Sequence, residues 1–123
     1  MTIDQAIARL DDVKFNSWPR ELKISWLSEL DSKIFLQIIK THENGVEKFS
    51  GYTENTSGDT VLLVPEPFDS VYLRWMEAQV DYLNGEYEKY NSSITMFNVA
   101  FAQFENYYHA NHMPLSKGRR FLF

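Results

Sequence analysis

Between residues 68 and 90 the apolar side chains Phe68, Tyr72, Met76, Val80, Leu83, Tyr87 and Tyr90 recur at steps of four and three. An α-helix turns once every 3.6 residues, so this spacing stacks all seven on one face, which needs a partner surface to cover it. The stripe predicts one long helix over about 69–90. Gly85 falls inside it, costs roughly 1 kcal/mol against Ala, and marks a kink or a close helix contact. With 123 residues the chain has room for one domain and one core, so the covering surface must come from the remaining segments.

Those segments are mostly helical in pattern. Thr2 and Gln5 have the spacing of a capping box, and Ile3, Ala6, Ile7 and Leu10 follow at helical steps, which predicts a helix over 3–13. Asn16 or Ser17 is placed to cap a second helix, with Pro19 in its first turn. Leu22, Trp26, Leu30, Ile34 and Ile38 carry that helix to about residue 40, with Asp31-Ser32 as the candidate break. A last helix is expected from about 93, capped from "YNSS", with Phe97, Ala100, Phe101, Phe104, Tyr107 and Tyr108 as a wide aromatic face shared between core and interface. Pro114 ends it. Trp26, Leu30, Tyr72, Met76, Val80 and Phe101 are the expected common core.

Two stretches break the pattern. Residues 41–59 are rich in Gly, Asn, Ser and Thr and lose the apolar period, which predicts a long loop with a short strand at "VEKFSGY". Few apolar anchors are visible in 43–59, so this is the segment expected to be most mobile. "TVLLVPEP" then reads as a short strand or extended segment stopped by proline. The fold class is therefore mainly α: a bundle of four to five helices with a loop or short β segment at about 41–65. The helical domain spans 1–113, and 114–123 form an extended C-terminal tail.

Composition narrows the function. The net charge of −5 disfavours a general nucleic-acid binder. The absence of cysteine removes disulfides, thiolate metal sites and a cysteine nucleophile. No apolar run is long enough for a membrane span, and "MTIDQAIARLDD" lacks the basic start and apolar block of a signal peptide. No phosphate-cradling glycine loop, nucleophile elbow or cofactor motif occurs. Acidic residues are read as scattered along solvent faces; Glu77 and Asp81, one turn apart, read as an exposed repulsive pair. Catalysis and cofactors are therefore not expected.

Two groups stand out as candidate sites. Glu105, His109 and His112 share a helical face and offer one carboxylate and two imidazoles, a weak candidate for zinc. Histidine is also favoured at a helix C-terminus by the macrodipole, without any metal. His42 has no obvious partner. The second group is the tail "SKGRRFLF". Lys117, Arg119 and Arg120 are three of the 12 basic residues; without them 9 remain against 17 acidic ones, leaving a body of about −8. Phe121, Leu122 and Phe123 follow those charges. Basic residues steer a segment toward an acidic surface, and rings anchor it there, so these six are the expected partner-binding residues.

The stretch "LLVPEPFDSVYLRWMEAQVDYLNGEYEKYNSSITMFNVAF" resembles small proteins encoded in the structural gene clusters of tailed phages and Gram-positive prophages. The residues that carry the resemblance are Leu63, Val64, Pro65, Phe68, Asp69, Tyr72, Asn84, Glu86, Tyr87, Tyr90, Asn91, Phe97 and Asn98, together with "WLSELDSKI" and "HANHMP". The functional class this resemblance implies is the head–tail connector (adaptor) family: mainly helical, non-enzymatic subunits that assemble into a homo-oligomeric ring between portal and tail. It implies the portal protein and tail-side connector proteins as partners. It also implies residence in the virion neck, after a period in the bacterial host cytoplasm. DNA would pass through such a ring without sequence-specific binding, which suits an acidic body. The alternatives are another phage or bacterial protein-interaction or assembly module and, more distantly, a small metal-dependent enzyme.

Overall fold

A computed structural model describes residues 1–42 and 48–112. It is a bundle of four helices: α1 (Ile3–Val13), α2 (Arg20–Ile34), α3 (Ser70–Leu83) and α4 (Tyr87–Asn111). No sheet forms among the described residues, and the one strand-like pairing is an antiparallel bridge between Thr2 and Val61. The small helical bundle expected from the periodicities is thus the fold. The tail at 114–123 lies outside the described residues.

α1 is closed as its sequence specifies. The Thr2 hydroxyl accepts from the Gln5 amide while the Gln5 side chain accepts from the Thr2 amide. Ile3, Ala6, Ile7 and Leu10 are buried. The segment 58–62 runs beside this helix start and receives the Ile3 and Asp4 amides on the Thr60 and Gly58 carbonyls, each at 3.0 Å. A Cβ at Gly58 would collide with the Asp4 carboxylate, which would have to swing away from its Arg20 partner.

α2 corrects two expectations. Neither Asn16 nor Ser17 caps it: Pro19 holds the N-cap position, and Asn16 Oδ1 instead accepts from the Trp18 amide at 3.2 Å. Asp31-Ser32 does not break the helix either. The Asp31 carboxylate turns inward to distant donors rather than to its own backbone, so it offers no competing turn. The helix changes character only at Phe35–Ile39, a π-helical turn in which the Lys40 amide reaches the Phe35 carbonyl.

The largest correction falls on the stripe at 68–90. α3 ends at Leu83, and α4 begins at Tyr87 rather than near 93. Gly85 has φ +76°, the Gly85 amide bonds the Tyr82 carbonyl at 3.1 Å, and the Glu86 amide bonds the Asp81 carbonyl at 2.9 Å. These two bonds form a Schellman stop, which places the residue after the C-cap in the left-handed region that glycine occupies without strain. The chain reverses there, so α4 runs back along α3. The stripe is cut in two: Tyr72, Met76 and Val80 are buried, while Leu83 and Tyr87 face solvent.

The core joins all four helices. Trp26, Leu30, Tyr72, Met76 and Val80 are buried as expected, and Phe101 is partly buried against them. The Trp75 indole donates to the Trp26 carbonyl at 2.9 Å and its ring lies 5.1 Å from Phe97, linking α2, α3 and α4. The aromatic face of α4 divides the same way: Phe97, Phe104 and Tyr108 are buried and Tyr107 is exposed.

Candidate interaction surface

Helix directions define two ends of the bundle. At one end lie the C-termini of α1 and α3 and the N-termini of α2 and α4, held by two cross-links. Trp18 Nε1 donates to Asn84 Oδ1 at 3.2 Å, tying the α1–α2 connection to the α3–α4 turn. Lys14 Nζ lies 2.7 Å from Asp81 Oδ1, and Ser93 donates to Asp81 Oδ2 at 2.6 Å, so α1, α3 and α4 meet on one carboxylate. Asp81 is buried and Glu77 pairs with Arg74, which corrects the expectation of two exposed, repelling acids. A further cross-link, from the buried Lys23 to the exposed Asp11 carboxylate at 2.7 Å, joins α2 to α1.

Above these anchors apolar side chains stand in solvent. Phe15 is 95% exposed, and Val13, Tyr82, Leu83 and Tyr87 are exposed with it. Tyr82 meets Tyr87 and Tyr90 edge-on, with ring centroids 5.8 and 5.4 Å apart. Beside them an open groove of about 460 Å³ is lined by Phe15, Asn16, Ser17, Trp18, Pro19 and Asn84. Apolar rings gathered at one end of a small domain, on a backbone held by cross-links, make this end the candidate contact surface. The periodicity concealed this surface by running Leu83, Tyr87 and Tyr90 on along the same stripe as Tyr72, Met76 and Val80. The Asn84-Gly85 pair was the sequence signal for the turn that exposes Leu83 and Tyr87.

At the opposite end the rings are paired and mostly covered. Phe68 stacks on Tyr107 at 4.6 Å, and the His112 ring stacks on Tyr108 at 3.8 Å. His42 is buried and does have a partner: its Nε2 lies 2.8 Å from His109 Nδ1. Its Nδ1 is 2.6 Å from the Ile38 carbonyl, which can only accept, so Nδ1 carries a proton, and with a neutral His42 ring His109 is the donor to Nε2. His109 Nε2 in turn lies 3.9 Å from Glu105. The three side chains Glu105, His109 and His112 therefore do not converge: His109 Nδ1 faces His42, and His112 Nδ1 lies near the Tyr108 carbonyl. Among the described residues no group of three or more His, Cys, Asp or Glu side chains is arranged to hold a metal ion.

Between the ends lies a buried polar knot that the sequence did not signal. Asp31 accepts from the Tyr52 and Tyr72 hydroxyls, each at 2.6 Å, and from the Leu63 amide at 3.1 Å. Tyr72 Oη also accepts from the Val64 amide at 2.7 Å, and the Tyr52 amide donates to Ser28 Oγ at 3.0 Å. Burial pushes the Asp31 carboxyl above its ordinary range, although all three hydrogen bonds pull it down. Burial, followed by the neighbouring carboxylate, pushes both tyrosines well above the ordinary phenol value. Every polar atom of the knot has a partner, so its chemistry is structural: it fastens 52–64 onto α2 and α3. Phe49 packs beside it, 5.1 Å from Tyr52 and 6.1 Å from Phe35. The expectation of few apolar anchors in 43–59 is thus corrected at Phe49 and Tyr52. The described part of "VEKFSGY" forms no strand, and 43–47 lie outside the described residues.

Lys117, Arg119, Arg120, Phe121, Leu122 and Phe123 also lie outside the described residues. They follow α4, whose last residue, Asn111, is at the histidine end. No described helix is long and apolar enough to cross a membrane. No family model, no curated protein and no solved structure matches this chain.

Proposed function

We propose that this chain is a non-enzymatic structural subunit of a tailed-phage particle, a head–tail connector that assembles into a ring between portal and tail. The observation that carries the proposal is the cluster of solvent-facing rings at the turn end of the bundle, led by Phe15. A subunit that works by assembly needs a rigid body with a contact surface already in place, and rings held over buried cross-links meet that need. The resemblance at residues 62–101 supports the same class, and its Tyr87 is one of the exposed rings. An acidic body fits a channel through which DNA slides without binding.

The test is assembly on a portal ring purified from the phage or prophage whose structural genes accompany this one. Mass photometry and electron microscopy should show a ring of subunits added to one face of the portal. A portal that stays bare at saturating subunit concentration, while other proteins of that particle bind the chain, would move it to the class of general interaction modules.

A further inference from the structure

We infer that the ring-bearing end of one copy receives the C-terminal segment of a second copy, in a head-to-tail contact between identical chains. The inference names the partner of the surface on which the connector proposal rests.

Three observations select this occupant. The first is chemical match. Phe121, Leu122 and Phe123 follow directly on Lys117, Arg119 and Arg120. The surface offers Phe15, Tyr87 and the groove beside Trp18 for the rings. The second is charge. At this end Lys14, Arg20 and Lys89 are each paired, with Asp81, Asp4 and Glu86 respectively. Glu21, in the first turn of α2, and Glu88, in the first turn of α4, are exposed and make no ion pair among the described residues. The rim is thus acidic where the incoming segment is basic.

The third is reach. α4 has 25 residues and spans about 37 Å at 1.5 Å per residue. From His112 to Phe121 is nine residues, at most about 32 Å even when fully extended. Phe121 therefore cannot travel back along its own helix to the ring-bearing end, and Phe123, at most about 40 Å from His112, gets there only with every intervening residue fully extended. A second copy placed end to end with the first has no such limit. A contact between two different surfaces of identical chains repeats, and it closes into a ring when the rotation per subunit allows.

The test mixes two variants of the full protein that cannot self-associate. One is truncated after Ser116 and keeps the ring-bearing surface. The other carries Phe15→Ser and Tyr87→Ser and keeps the C-terminal segment. Both substituted side chains are exposed, so both variants should melt as the parent does. In sedimentation and calorimetry each should be monomeric alone, and the mixture should form a 1:1 complex. Phe121→Ser in the second variant should weaken that complex by about tenfold or more. Arg119→Glu with Arg120→Glu should slow association and reduce its salt sensitivity. Absence of a complex in the mixture, or a complex that Phe121→Ser leaves intact, overturns the inference. Portal binding is measured separately: a portal that binds the chain while the two variants ignore each other overturns the head-to-tail contact and leaves the connector reading standing.

Discussion

The two ends of this bundle are built from the same residue types and treat them oppositely. At the histidine end Phe68 stacks on Tyr107 and Tyr108 on His112, and His42 is buried against His109. At the turn end Phe15, Tyr82 and Tyr87 stand in water, and the buried bonds lie beneath them at Asp81. Aromatic content alone therefore says nothing about role. What separates the ends is where the chain reverses. The Gly85 turn stops α3 before its apolar stripe is finished, and Leu83 and Tyr87 are left facing outward. One end packs most of its rings against one another and the other leaves them in solvent.

The most severe way to test this division is through the core the ends share. Met76 is fully buried, and Met76→Asp places an unpaired charge there. Circular dichroism should show loss of the fold at room temperature. A variant that melts like the parent would mean the two ends do not depend on a common core.

Asp31→Ala strands two tyrosine hydroxyls and one amide in the interior, and should cost about 3–5 kcal/mol in urea unfolding. The knot also sets the pH response. Because the folded Asp31 carboxyl is raised, the folded state holds its proton more tightly than the unfolded chain. The contribution from this group is therefore full below its ordinary value of 3.8 and falls as pH rises through the folded value. Tyr52 and Tyr72 act the same way from 10.0 upward, so stability should drop at alkaline pH. Tyr72→Phe should flatten that alkaline fall; an unchanged slope would contradict the burial of its hydroxyl.

Lys14→Ala leaves Asp81 buried with only Ser93 to satisfy it, and should cost about 2–3 kcal/mol. Hydrogen exchange should locate the loosening at Leu83–Tyr87, not at His42 and His109. Loosening at both ends alike would show that the cross-links do not act locally.

The smallest effect is expected at the most exposed ring. Phe15→Ser should change stability by no more than about 0.5 kcal/mol, because Phe15 gives up almost no buried area. Its consequence should appear in association alone. A large loss of stability there would make the turn end a second part of the core and erase the distinction.

The helical class, the capping box at Thr2 and Gln5, and five of the six chosen core positions were legible because each depends on neighbours within a few residues. Helical periodicity reports which side chains share a face, and a cap reports where a helix begins. Neither reports what lies across from that face. The sequence therefore could not say that Asp31 would meet Tyr52 and Tyr72, that Asp81 would meet Lys14, or that His42 would meet His109, pairings separated by 21 to 67 residues. Nor could the spacing at 68–90 show that only its first half finds cover. That was decided by the packing of α3 against α2 and α4, because a stripe is buried only as far as a neighbouring helix extends to cover it.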